Sequence, residues 1–157
     1  MKSLTIVDES IDTSGALAIV HAASDELQQR YGGDGDNQHL SVDELRPPLG
    51  LFLVARHGRD LAGGVGLRSI GVPQRHFYEV KRLWVRPDLR RSGIGLVLMH
   101  EIEVRARGLG CVTLYLETGP AQPEALALYT SNGWTQITHY PDGVFSHPQA
   151  HKFKKDL

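Results

Sequence analysis

One cysteine, Cys111, in a chain of 157 residues leaves no partner for an intrachain disulfide and no set of thiolates for a metal. That usage points to a reducing compartment, with the cytoplasm as the default. Charge of one sign is not in excess either. Seventeen Lys plus Arg against eighteen Asp plus Glu leave a net charge of -1, which gives no bulk field to draw the protein onto nucleic acid or an anionic bilayer. Any anion site must therefore be local. No stretch approaches the roughly 20 apolar residues of a spanning helix. The opening MKSLTIVDES reaches Asp8 and Glu9 before any long apolar run, so the expectation is neither secretion by signal peptide nor membrane embedding. What is present is an ordinary globular balance, 41% hydrophobic and 22% charged, in a length close to the roughly 150 residues of one domain. Residues 1–157 are expected to form a single domain.

Along the chain, SLTIV (3–7) reads as a strand. The run from Asp12 to Leu27 reads as a helix, with Leu17, Val20 and Leu27 at helical spacing behind the caps Asp12, Thr13 and Ser14. YGGDGDNQH (31–39) is loop by composition. Ser41 and Glu44 form a capping-box pattern that Pro47 and Pro48 cut to a turn or two. LFLVAR and LAGGVGLRSI flank a hairpin turn at His57-Gly58-Arg59-Asp60, and HFYEVKRLWV makes a third strand that ends at Arg86-Pro87. Residues 93–107 give the clearest helix, with Ile94, Val97, Leu98 and Ile102 along one face. Glu101–Arg105 and Glu103–Arg107 stand at the four-residue spacing on its polar side. A strand (CVTLYLET, 111–118), a helix opened by Pro123, the strand WTQI and a last strand near AHKFKK complete the order. A meander feeding a strand-helix-strand crossover implies a mixed α/β sheet. Six or seven mostly antiparallel strands and about four helices are expected.

The segment Leu89-Arg90-Arg91-Ser92-Gly93-Ile94-Gly95-Leu96 stands between a strand end and a helix start. A helix N-terminus offers unpaired amides and about half a positive charge, so glycines there with flanking arginines can cradle a diphosphate. Equally, Gly93 and Gly95 serve close helix-sheet packing while the arginines are solvated. A dinucleotide fingerprint fails at Leu98, and no Walker pattern occurs. Gly63-Gly64-Val65-Gly66 lies inside a strand, where bulges and close backbone approach are the commoner roles.

Arg90-x-x-Gly93-x-Gly95 after Leu83-Trp84-Val85-Arg86-Pro87 resembles the acyl-CoA-binding motif of the GNAT superfamily of N-acetyltransferases. Leu128-Tyr129-Thr130-Ser131-Asn132-Gly133-Trp134 resembles that family's Leu-Tyr-x-x-x-Gly-Phe helix end, with Trp134 in place of Phe. Pro123 stands where many members carry a cofactor-contacting Asn. The resemblance covers roughly residues 79–137. It implies a GNAT-type acyl-CoA N-acyltransferase fold and transfer of an acetyl group from acetyl-CoA to a primary amine, direct and in a ternary complex. The acceptor is a small molecule or a peptide amine. The alternative is a non-catalytic acyl-CoA-binding sensor or assembly module.

Under that resemblance, the amides of Arg91, Ser92, Gly93, Ile94, Gly95 and Leu96 with the side chains of Arg90 and Arg91 receive the pyrophosphate. Leu83, Trp84 and Val85 present backbone to the pantetheine arm and thioester. Tyr129 serves the leaving thiolate, since a phenol near pKa 10 stays protonated at rest; its other reading is a core aromatic. Keeping a lysine-like amine neutral at pH 7 costs about 4.6 kcal/mol, so a base is needed. Glu79 is the candidate, ahead of Glu117, His76 and the loop aspartates Asp34, Asp36 and Asp43, although an ion pair with Lys81 or Arg82 is the competing role.

No metal is expected. His147 and His151 lack a partnering carboxylate at metal spacing, and the calcium-like start at Asp34 lacks glycine at its sixth position and glutamate at its twelfth, Leu45. Cys111 reads as a small core hydrophobe. The tail lysines Lys152, Lys154 and Lys155 make a weak nucleic-acid footprint, and the edge of the last strand is where a homodimer would form.

Overall fold

The computed structural model describes residues 2–33, 40–70 and 77–157. Seven strands form one sheet: β1 (Leu4–Asp8), β2 (Gly50–His57), β3 (Asp60–Ile70), β4 (Phe77–Val85), β5 (Thr113–Thr118), β6 (Thr135–Ile137) and β7 (His151–Asp156). Their order is β1-β2-β3-β4-β5-β7-β6, and every neighbouring pair is antiparallel except β4 and β5. The mixed sheet expected from the meander and crossover is present. Three α-helices stand among the described residues rather than about four: α1 (Ser14–Tyr31), α2 (Ile94–Gly108) and α3 (Pro123–Ser131). The fourth was the Ser41 segment, whose capping box forms but opens only a 3-10 turn, Val42–Leu45.

Two apolar layers sandwich the sheet. On one face α1 and the 3-10 turn place Ile19, Val20 and Leu45 against Phe52 and Val54. On the other, α2 sets Ile94, Leu98 and Ile102 against Leu53, Val65, Val80 and Leu114. The strands between them are buried on both sides, which is why β2 and β3 read as near-continuous apolar runs. Thr13 caps α1, its hydroxyl accepting from the Ala16 amide at 3.1 Å. The buried stripe of α1 is Ala16, Ile19, Val20 and Ala23, with Leu17 and Leu27 only half-buried.

Two details of α2 differ from the sequence reading. Val97 is 42% exposed and Met99 takes its place in the core. Glu103 turns inward, where Lys155 of β7 donates to it at 2.9 Å, instead of pairing with Arg107 along the helix. Lys152 is buried as well, its Nζ held by the carbonyls of His147 (3.0 Å) and Ala150 (3.1 Å). Two of the three tail lysines are thus committed to internal partners and do not form a basic face. The last strand is also not an edge: β7 lies between β5 and β6, and the sheet ends at β1 and β6. The last strand therefore does not offer the free edge expected of it.

The hairpin turn reduces to Gly58-Arg59, with Gly58 at φ 61 and His57 opposite Asp60. In β3, a Cβ on Gly63 would lie 2.5 Å from the Trp84 carbonyl and one on Gly64 would lie 2.8 Å from that of Leu53, so close backbone approach accounts for the cluster. Opposite it, β4 carries a bulge. Gly64 pairs with Trp84 and Gly66 with Lys81, so β4 spends one residue more than β3. Arg82 takes up the difference in left-handed backbone, φ 57.

Candidate active site

The bulge re-aims the second half of β4. Only Phe77, Tyr78 and Glu79 pair with β5, against Thr113, Leu114 and Tyr115. β5 itself runs on to Thr118, paired to β7. The parallel pair therefore opens past Glu79 into a slot of about 450 Å³. It is walled by Lys81–Trp84 of β4, Leu116–Thr118 of β5 and Tyr129 of α3, with Glu26 and Tyr31 of α1 and the loop residues His147 and Gln149 at its other side. Because side chains alternate along β5, Leu114 and Leu116 pack toward α2 and α3, while Tyr115 and Glu117 point to the face that carries α1. The slot thus joins the two faces of the sheet.

At one end stands the glycine segment. Gly93 is the N-cap of α2 in left-handed backbone, φ 89, two residues after Arg91 at φ 64. A Cβ on Gly93 would meet nothing within 4 Å, and one on Gly95 would meet only Leu128 and Val85 at 3.8 Å. Neither glycine is demanded by packing against the sheet. Open space over the unpaired first amides of a helix is the geometry of an anion cradle. The arginines differ from the sequence reading. Arg90 donates through Nε to the Val85 carbonyl (2.8 Å) and through Nη2 to Glu26 (2.9 and 3.0 Å), so its guanidinium ties the loop to β4 and α1. Val85 accordingly has its carbonyl committed, and its side chain is not among those lining the slot, whereas Leu83 and Trp84 do line it. Arg91 is exposed, and the hydroxyl of Ser92 donates to the Leu89 carbonyl.

The two glutamates occupy different positions. Glu79 is 1% exposed and lies below the slot, not on its wall. Its Oε1 accepts from Arg68 Nε at 2.9 Å, and the Tyr140 hydroxyl donates to its Oε2 at 2.7 Å; Arg68 in turn reaches Glu44 at 2.8 Å. Held this way, Glu79 anchors a buried column running from the 3-10 turn to the loop before β7. Glu117 lines the slot with a side chain only 7% exposed. Its Oε2 accepts from the His147 main-chain amide at 3.0 Å, and His147 Nε2 lies 3.6 Å from its Oε1. Burial pushes the Glu117 carboxyl above the usual range, opposed by Lys81 and reinforced by the negative charge of Glu79. Of the lower-ranked candidates, Asp43 is bound to Arg46 at 2.9 Å, while Asp34, Asp36 and His76 lie outside the described residues.

Tyr129 is the one fully buried residue of α3. It packs against Trp134 and Phe153 with ring centroids 6.0 and 5.7 Å away. Burial raises its phenol pKa, so the proton is firmly held. Among the described residues no group hydrogen-bonds the hydroxyl. Cys111 behaves as a core residue, its thiol pushed up to about 11 by burial. No cluster of metal-ligating side chains occurs among the described residues, and no helix there is long and apolar enough to cross a membrane.

A latch unannounced by any motif closes one side of the slot. Arg30 donates to the Ala121 carbonyl and pairs with Glu124, each at 2.8 Å. The Tyr31 hydroxyl accepts from the Ala121 amide at 3.0 Å and donates to Gln122 Oε1 at 3.3 Å. Gly119 makes room for it, since a Cβ there would lie 2.1 Å from Tyr31 Oη.

Residues 18–134 match the acetyltransferase (GNAT) family. The chain belongs to that family. It is 33% identical over 135 residues to an IAA acetyltransferase of Azospirillum brasilense, covering 85% of this chain and 86% of that protein. To the N-alpha-acetyltransferase RimI of Mycobacterium tuberculosis it is 37% identical over 128 residues, covering 80% and 79%. Its fold matches PaiA N-acetyltransferase of Thermoplasma acidophilum in complex with coenzyme A, with a TM-score of 0.73, 18% identity and 99% of both chains covered. As a GNAT enzyme, the protein is an acyltransferase that moves acetyl from acetyl-CoA to an amine.

Proposed function

We propose that transfer takes place in the slot between β4 and β5, by direct attack of a neutral amine on the thioester carbon in a ternary complex. The whole 1–157 chain acts as one catalytic domain. Acetyl-CoA supplies the activated acyl group. The amides opening α2 at Gly93, Ile94, Gly95 and Leu96 would hold its diphosphate, with Arg91 free to approach it. Leu83 and Trp84 would flank the pantetheine arm where β5 no longer pairs with β4. Arg90 acts indirectly, by fixing the cradle loop to Val85 and Glu26.

The observation that carries this reading is the opening of one sheet between a glycine-rich helix start and a buried carboxylate. The amine reaches the slot from the α1 face, where Glu117 takes its proton. Its raised pKa makes that carboxylate a stronger base than an ordinary one. Tyr129, coming from the α3 face, donates to the departing sulfur. Glu79 keeps Arg68 and Tyr140 in place behind Glu117 and touches no reactant. The acceptor is a small amine or a peptide amine, and the reducing setting implied by a single buried cysteine is the cytoplasm.

The test is free-thiol release from acetyl-CoA by purified protein mixed with a panel of primary amines, including an alanyl peptide. Amine-dependent release that disappears in Glu117→Gln while acetyl-CoA still binds is the expected result. Tight binding of acetyl-CoA with no release by any amine would overturn catalysis in favour of a sensor.

A further inference from the structure

We infer that His147 is the proton outlet of the active site, relaying to solvent the proton that Glu117 takes from the acceptor. The inference rests on the reading of Glu117 as the base and adds a residue to it. Acylating an amine that arrives as its ammonium form releases one net proton: R-NH3+ and acetyl-CoA give the amide, the free thiol and H+. One nitrogen proton balances the thiol, and the other must leave a slot whose carboxylate side chain is only 7% exposed. If it stayed on Glu117, the next amine would meet a protonated base.

His147 is the group placed to carry it out. Its Nε2 lies 3.6 Å from Glu117 Oε1, within reach after a small rotation or through one water, and its side chain is 39% exposed, so one ring spans the buried carboxylate and bulk solvent. The placement is built. The His147 amide donates to Glu117 at 3.0 Å and its carbonyl accepts from Lys152 Nζ at 3.0 Å. Lys152 is the residue of β7 opposite Glu117 in β5. Phe145 packs edge-on against the imidazole with centroids 5.1 Å apart. The other charged groups around Glu117 cannot do this work. Glu79 is below the slot on Arg68 and Tyr140, Lys81 of β4 is a buried cation, and Lys152 is spent on two carbonyls. In the step itself the proton on Glu117 passes to His147 Nε2, Glu117 returns to carboxylate, and the ring gives a proton on to water.

The main-chain bond from residue 147 to Glu117 does not need the imidazole, so His147→Ala removes the ring, with its packing on Phe145, and leaves Glu117 that donor. With acetyl-CoA and the amine from the panel that turns over fastest, kcat of H147A is expected to fall about a hundredfold, the low end of the contribution of a positioned proton-transfer group. The KM for acetyl-CoA should be unchanged. Added imidazole should restore kcat in proportion to its concentration, in H147A and not in Glu117→Gln. A kcat within twofold of wild type, or a loss that imidazole leaves untouched in protein that still binds acetyl-CoA, would overturn the relay while leaving Glu117 as base. Absence of amine-dependent release by the unmodified enzyme would overturn both.

Discussion

Glu79 and Glu117 stand on adjacent strands of one slot, and replacing each with glutamine should separate a structural carboxylate from a reacting one. In Glu79→Gln the charge leaves a site that is 1% exposed, while Arg68 keeps its cation. Removing one partner of a buried pair costs about 3–5 kcal/mol when the other charge is left uncompensated. Here Glu44 still faces Arg68 at 2.8 Å and is more than one third exposed, which places the loss at the lower end. The amide oxygen of glutamine can accept from Arg68 while its NH2 group donates to the Tyr140 hydroxyl, which must turn from donor to acceptor, so what is lost is the charge facing Arg68. About 3 kcal/mol in a chain of this size corresponds to a fall in Tm of about 6–12 °C. Glu117→Gln behaves differently. The glutamine oxygen can still accept from the His147 amide, and burial already disfavours the ionised carboxyl, so Tm should hold or rise.

Thermal unfolding followed by circular dichroism, alongside thiol release at saturating acetyl-CoA, measures both quantities in the same preparations. The expected pattern is crossed: Glu79→Gln loses stability and keeps most of its kcat at a temperature where it is folded, and Glu117→Gln keeps stability and loses kcat by about 10²-fold or more. If Glu79→Gln melts within 2 °C of the parent while its turnover collapses, the assignment of roles drawn from the hydrogen bonds is wrong.

Two further substitutions probe the other ends of the slot. Tyr129→Phe deletes a hydroxyl that no described protein group bonds, so melting should change little while kcat drops by about 10²-fold at constant acetyl-CoA affinity; an unchanged rate would return Tyr129 to the core. Gly93→Asp adds a side chain into open space at φ 89, a strain of about 1–2 kcal/mol, and brings a carboxylate to the diphosphate. Calorimetry should find no acetyl-CoA binding to it at concentrations that saturate the parent, whereas retained affinity would refute the cradle.

The architecture was largely legible because periodicity is local. Thr13, the Ser41–Glu44 box, Gly58 and Pro123 each do in the structure what their residue types dictate at those positions. The parallel step between β4 and β5 follows from a crossover helix. Long-range pairing was harder to read. Glu103 has Arg107 four residues away, yet it reaches Lys155 fifty-two positions on, because Lys155 of β7 comes within reach of the α2 face that carries Glu103. Likewise Arg90 reads as a phosphate ligand until Glu26, sixty-four residues earlier, is seen beside it. In the site, alternation in Thr113-Leu114-Tyr115-Leu116-Glu117 already put an acid on the face opposite two leucines. It did not reveal that Arg68 and Tyr140 would occupy Glu79 and leave Glu117 to the slot. His147 lies in a stretch of irregular chain with no period to read, and only the β5–β7 register brings it to Glu117.

The same buried column makes the pH dependence a more exacting test than activity alone. A carboxylate acting as base works when deprotonated, so turnover falls as pH drops through its pKa. Burial and the neighbouring charge of Glu79 both raise that pKa, and Lys81 and His147 oppose them. The acid limb of kcat/KM should therefore lie above the ordinary carboxylate range of about 4.3. Glu79→Gln removes a like charge, which stabilises ionised Glu117 and moves the limb to lower pH. The column thus serves stability and basicity together: Arg68 and Tyr140 hold a second negative charge below the slot, and that charge keeps Glu117 protonatable at higher pH. Glu117→Gln should abolish the limb altogether. A limb that stays in place in Glu79→Gln would mean that the charge of the buried anchor does not set it, and one that persists in Glu117→Gln would mean that the group titrating in catalysis is not Glu117.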